Sequence, residues 1–256
     1  MTFWKERKPC GESMQTIKEH VPLRKAVLEH PEAEMPKTSQ AYEICKQIFD
    51  FLSALLLSAV LIVPMVVISC IIVIRDFGNP LFRQERVGKN GIPFYIYKFR
   101  SMRKNADRLE EALTPQQLEQ YRRDYKLQDD PRLIGYQKEG DGPRCFGGKM
   151  RIFSIDELPQ ILFNICLLRN LSVVGPRPIL REELERYYTP AEQKLLLSVK
   201  PGLTGYWQAY ARNDASYADH FRQDMELYYV RHRSFRLDVK ILLKTVEAVL
   251  KKRGAS

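Results

Sequence analysis

The sequence predicts a mainly helical α+β protein, and three features predict it. An uncharged apolar run extends from Phe51 to Ile74, aromatic and β-branched segments flank Asn90-Gly91, and helix-period or charged helical patterns recur further on. At 256 residues with 45% hydrophobic content, the chain can bury one substantial core. A formal net charge of +10 favours anionic partners: nucleic acid, an acidic membrane surface or phosphorylated substrates. Charge alone does not choose among them. The five cysteines (Cys10, Cys45, Cys70, Cys145, Cys166) include no C-x-x-C pair, which argues against a disulfide framework or a zinc site and fits a reducing compartment. His20, His30, His220 and His232 show no ligand spacing.

Taken in order, residues 1–40 form a polar tail without a signal-peptide pattern. Residues 41–76 contain the apolar run, long enough to cross a bilayer, with Pro64 near its middle. Lys37 and Lys46 precede the run, and Arg75, Arg83, Arg86, Lys89, Lys98, Arg100 and Arg103 follow it. Basic residues at both ends place both ends on the cytoplasmic side, so the expectation is a Pro-broken re-entrant helix in one leaflet. A kinked spanning helix and a core helix of a soluble enzyme are the alternatives. Leu81–Val87 and Phe94–Phe99 around Gly88-Lys89-Asn90-Gly91 predict a β-hairpin. Ala106–Leu127 reads as a charged surface helix and residues 128–148 as loop.

Ser154-Ile155-Asp156-Glu157-Leu158-Pro159-Gln160 then reads as a helix start, with Ile161, Leu162, Phe163, Ile165 and Leu168 following. Ser154 and Glu157 have capping-box spacing, while a helix N-terminus also welcomes phosphate beside an ionised Asp156. Both readings stand on local spacing. Val174-Gly175-Pro176-Arg177-Pro178 and Pro201-Gly202-Leu203-Thr204-Gly205 are stiff turns, the first holding Arg177. Leu237–Lys252 is an amphipathic helix suited either to an anionic membrane interface or to core packing.

Together, Lys46–Asp50, Phe82–Gly88, Tyr97–Met102, Ser154–Gln160, Ser172–Pro178 and Lys200–Gly205 with Gln208 resemble the monotopic phosphoglycosyl transferases of the bacterial sugar transferase family. The resemblance implies that Asp156 is a nucleophile with Glu157 as its dyad partner. It implies transfer of a sugar 1-phosphate from a nucleotide diphosphate sugar to polyprenyl (undecaprenyl) phosphate, initiating a surface glycan such as an exopolysaccharide or lipopolysaccharide. Mg2+ is the implied cofactor, held by Asp156 and Glu157. Arg151, Arg177 and Lys98 match phosphate-side positions, and the late acidic residue is either Asp224 or Glu226. Ala211-Arg212-Asn213-Asp214 and Leu237–Leu242 look like the members that use hexose 1-phosphates. Residues 77–256 are then a cytoplasmic catalytic domain at the bacterial inner membrane, without a nucleic-acid partner; a homodimer stays open.

The sequence departs from the family's pattern at Val63, where a serine usually precedes the proline, at Ile152-Phe153, and at Asn170. Residues 134–146 look inserted, and the stretch between Gln160 and Ser172 is slightly long. The alternative from another class is a non-catalytic basic membrane scaffold that recruits acidic partners.

Overall fold

A computed structural model of the protein describes residues 39–124, 127, 129–211 and 220–250. The polar tail through residue 38, Lys37 within it, and Arg212-Asn213-Asp214 lie outside the described residues.

Helix α1, Gln40–Arg75, starts where the Ser39 hydroxyl accepts the Ala41 N–H at 3.2 Å. One stripe is buried: Lys46, Asp50, Ala54, Ser58, Met65 and Ile72, spaced by four and seven residues. The other faces stay apolar and uncovered, Val63 at 67% and Ile74 at 79% exposed, so the helix does not form the core of a soluble fold. Its length and composition suffice to cross a membrane. Pro64 lies inside the helix without ending it. The helix continues through Pro64 to Arg75, and a proline there withholds its own N–H from the ladder.

The hairpin forms as expected, β1 (Leu81–Val87) antiparallel to β2 (Pro93–Phe99) with Val87 opposite Pro93. At its tip Ile92 donates to the Lys89 carbonyl at 3.3 Å across Asn90 (φ 59°) and Gly91 (φ 77°). Two consecutive left-handed residues are what Asn-Gly supplies at least cost. The expected charged helix is two pieces, α2 (Leu109–Ala112) and α3 (Pro115–Asp124). The second begins at a capping box: Gln117 N–H donates to Thr114 Oγ1 at 3.3 Å and Thr114 N–H to Gln117 Oε1 at 3.1 Å. A loop then leads to α4 (Phe146–Ile152), whose N-cap is the Cys145 sulfur. Among the described residues all cysteines are free.

The segment after α4 does not begin as a capping box. Ser154 is left-handed (φ 54°, ψ 25°) and caps nothing through its side chain; a 3-10 turn over Ile155–Glu157 leads into a π-helix, Ile161–Leu167. Ile161 and Ile165 are buried as the pattern expects, whereas Leu168 is exposed. The wider π turn takes up more residues per turn than an α-helix would, which suits the extra length between Gln160 and Ser172.

The two stiff turns carry short parallel strands, β3 (Ser172–Val174) and β4 (Gly202–Thr204). A Cβ at Gly202 would lie 2.0 Å from the Gly175 nitrogen, so the loops meet backbone to backbone. Helices α5 (Arg181–Tyr187), α6 (Pro190–Leu196), α7 (Tyr206–Tyr210), α8 (Phe221–His232) and α9 (Phe235–Leu250) complete the fold. The largest core cluster is built from β3, α5 to α9 and Val87. Two smaller clusters seat α1: Ala54 packs with Phe94, Ile96, Ile161 and Ile165, and Met65 and Ile72 pack with Phe99, Ile134 and Met150.

Candidate active site

Strand period fixes the first functional side chain. Phe94, Ile96 and Lys98 share one face of β2; the first two pack on the π-helix, and Lys98 therefore meets the turn that precedes it. Lys98 Nζ donates to Glu157 Oε1 at 2.7 Å, both side chains being about three-quarters covered. The free edge of β2 is occupied by Asn164: Tyr97 N–H donates to its Oδ1 at 3.0 Å, and its Nδ2 donates to the Tyr95 carbonyl at 2.7 Å. One buried amide thus locks the π-helix to the strand bearing Lys98.

Asp156 is buried, and burial lifts its carboxyl to about 6. Lys98 and Arg151 pull it down and Glu157 pushes it up. Arg151, in the last turn of α4, is anchored by Nε donating to Ser101 Oγ at 3.2 Å and leaves its guanidinium largely exposed. Asp156, Glu157, Lys98 and Arg151 therefore lie together in one cluster. It combines a shielded carboxylate, a second carboxylate paired to a lysine, and an arginine open to a ligand.

Arg177 and Glu226 form a second cluster. The Arg177 N–H donates to Glu226 Oε2 at 3.0 Å, and the turn is held to the hairpin by Val87 N–H on the Ile179 carbonyl at 2.9 Å. Burial raises the Glu226 carboxyl to about 7, against the pull of Arg222 and Arg177. Among the described residues its Oε1 has no hydrogen-bond partner. Asp224 is also buried on α8, two residues away and on another side of the helix; of the two candidate acidic residues, Glu226 is the one that accepts the Arg177 N–H. Sequence reasoning missed Trp207 and Arg222. The guanidiniums of Arg222 and Arg177 lie 4.1 and 5.4 Å from the Trp207 ring centre. The i,i+4 spacing of Arg222 and Glu226 was the available signal.

Among the described residues no three His, Cys, Asp or Glu side chains converge on one point. Mg2+ does not need such a cage, since it usually takes one or two carboxylates and completes its shell with water and substrate phosphate. The adjacent Asp156 and Glu157 fit that donor set, Glu157 by sharing or exchanging its lysine.

A carboxylate pair with flanking cations, mounted on a long uncovered apolar helix, defines a membrane-associated enzyme. The chain belongs to the bacterial sugar transferase family, matching it over residues 41–252. It is 38% identical to the exopolysaccharide production protein ExoY of Sinorhizobium fredii, over 83% of this chain and 88% of that protein. It is 39% identical to the UDP-galactose-lipid carrier transferase of Erwinia amylovora. Identity to the undecaprenyl-phosphate galactose phosphotransferase of Salmonella typhimurium is 37%. Each of these last two matches covers 82% of this chain and 41% of the other protein, so the chain spans under half of their length.

Proposed function

We propose that the protein transfers a sugar 1-phosphate from a nucleotide diphosphate sugar to a polyprenyl phosphate, initiating a surface glycan, with Asp156 as the covalent nucleophile. The observation that carries this reading is the buried Asp156 carboxylate set beside Lys98 and Arg151, with Glu157 paired to that lysine. An Asp156 oxygen attacks the β-phosphorus, the bond from that phosphorus to the bridging oxygen breaks, and the nucleoside monophosphate leaves with the bonding electrons. A phosphate oxygen of the polyprenyl acceptor then attacks the same phosphorus and returns Asp156 as carboxylate. Lys98 and Arg151 neutralise charge on the transferred phosphoryl group, and Arg177 with Glu226 binds the sugar-phosphate portion. When bound at Asp156 and Glu157, Mg2+ would neutralise diphosphate charge.

The monotopic placement is supported by α1 itself. Its start is tied to α9 and its end to β2 and Ile134, so both ends rest on the same domain. Both ends resting on one domain supports a placement in which they share one side of the bilayer. We therefore assign 41–76 to one leaflet of the inner membrane and 77–256 to its cytoplasmic face, with the uncovered Phe235, Val239, Leu243 and Val246 of α9 adding an interfacial stripe. Nothing in the family match or the site favours a non-catalytic scaffold.

Incubation with nucleotide sugars labelled in the β-phosphate should leave acid-stable label on wild-type protein, chased by undecaprenyl phosphate. Asp156→Asn should carry none and lose at least about a thousandfold in nucleoside monophosphate release, the scale seen when a covalent nucleophile is removed. Retained turnover in the variant would remove Asp156 from the chemistry.

A further inference from the structure

The C-terminal end of α1 borders a cavity of ≈ 320 Å³ that contains none of Asp156, Glu157, Lys98 or Arg151. Arg75, Arg144 and Lys149 line it, against the single carboxylate of Asp141. Arg75 lies over the Phe146 ring at 5.2 Å from the centroid, and Asp141 accepts the Lys138 N–H at 3.3 Å, so one cation is positioned and the carboxylate is engaged. Among the described residues none of the three cations is held in an ion pair. Close to Arg75 in sequence, Ile74 and Phe77 are 79% and 86% exposed, so the end of α1 that borders the cavity also carries uncovered apolar side chains. The remaining wall comes from Gly135, Gln137, Cys145 and Phe146, all within residues 134–146, the stretch that looks inserted beside the family's pattern.

We propose that this cavity holds the phosphodiester headgroup of an anionic phospholipid, with the acyl chains running along the uncovered face of α1. Guanidinium and ammonium groups recognise a phosphodiester by charge-assisted hydrogen bonds, and basic pockets beside membrane helices take lipid headgroups in this way. A soluble anion would gain nothing from the uncovered apolar side chains at this end of α1. The inference rests on the membrane placement of α1 and not on the role of Asp156.

Native mass spectrometry of the full chain released from detergent tests it, with phosphatidylglycerol, phosphatidylcholine, undecaprenyl phosphate and inorganic phosphate offered in separate arms. Phosphatidylglycerol should be retained over phosphatidylcholine by about tenfold. Arg144→Gln/Lys149→Gln, two exposed positions, should lose that preference by a similar factor, as expected from a few-fold per cation. Nucleoside monophosphate release in detergent should be unchanged in this variant. Equal retention of the two phospholipids, or a preference that survives the double substitution, overturns the proposal. So does retention of undecaprenyl phosphate or inorganic phosphate alone through the same two cations. Failure of the membrane placement shows separately, as recovery of the chain in the soluble fraction before detergent is added.

Discussion

Asp156 sits between opposing influences, and the balance sets a pH dependence. Burial holds its carboxyl near 6, with Lys98 the strongest influence in the other direction. A carboxylate nucleophile acts only when ionised, so activity should rise as pH increases through about 6 and level off above it. Replacing Lys98 with Met removes that downward pull, so the acidic limb should move to higher pH by roughly one unit, with a lower plateau. Arg151→Met should move it the same way by less. Glu226, near 7, titrates in the same window but belongs to the other cluster. A kcat/KM profile of Lys98→Met with an unmoved limb would assign the titration to Glu226 or another group. At this scale residue type and matched position were enough to single out Asp156, Glu157, Lys98 and Arg151 as candidates, but not to show how they meet. The Lys98–Glu157 pair spans 59 positions, and only the strand-to-turn packing reveals it.

Asn164 is where an element, not a residue, decides geometry. Its amide fills the open edge of β2 and also donates to Asn170 Oδ1 at 3.0 Å, at the position where the family usually has an acidic residue. Asn164→Leu keeps the branched heavy-atom shape but leaves the Tyr97 N–H and Tyr95 carbonyl without this partner, at a cost of about 1–3 kcal/mol per buried group. Denaturation of the full chain in detergent should show a loss on that scale, and activity should fall with it, because the same contact aligns Lys98 with Glu157. An unchanged midpoint would mean that water replaces the amide. The hairpin was legible because Asn90-Gly91 demands φ > 0 and alternating residues flank it. The π-helix was not, since Ile161, Leu162 and Ile165 satisfy an α period equally well and its hydrogen-bond spacing leaves no compositional mark. Strands β3 and β4 were hidden for a related reason: three residues each, they read as parts of proline turns. Ser154 spoiled the capping box by adopting a left-handed backbone that its residue type does not announce.

Across the whole molecule, α1 is joined to the catalytic part by a buried polar cluster. Lys46 Nζ lies 3.0 Å from Asp238 Oδ2 and 4.0 Å from Asp50 Oδ1. Asp50 accepts the Ser172 hydroxyl at 2.6 Å and the Val173 N–H at 3.1 Å, and Asp238 accepts Tyr42 and Tyr229 hydroxyls at 2.9 and 2.8 Å. Burial and the Asp238 charge push the Tyr229 phenol well above its ordinary value, so it remains a donor. The cluster thus joins the start of α1 to β3, α8 and α9, with the Lys46 ammonium between the Asp50 and Asp238 carboxylates. Lys46→Met should leave two buried carboxylates without their paired ammonium and destabilise the fold by about 3–5 kcal/mol, whereas a surface ion pair would cost under about 1 kcal/mol. Adding Asp238→Asn removes one stranded charge while keeping an acceptor for the tyrosines, so the double variant should regain part of the loss. Thermal unfolding of the four chains of this cycle in one detergent reads the coupling directly. If the two substitutions simply add, the cluster is not what holds the helix to the domain, and the apolar seats at Ala54, Met65 and Ile72 carry that attachment alone.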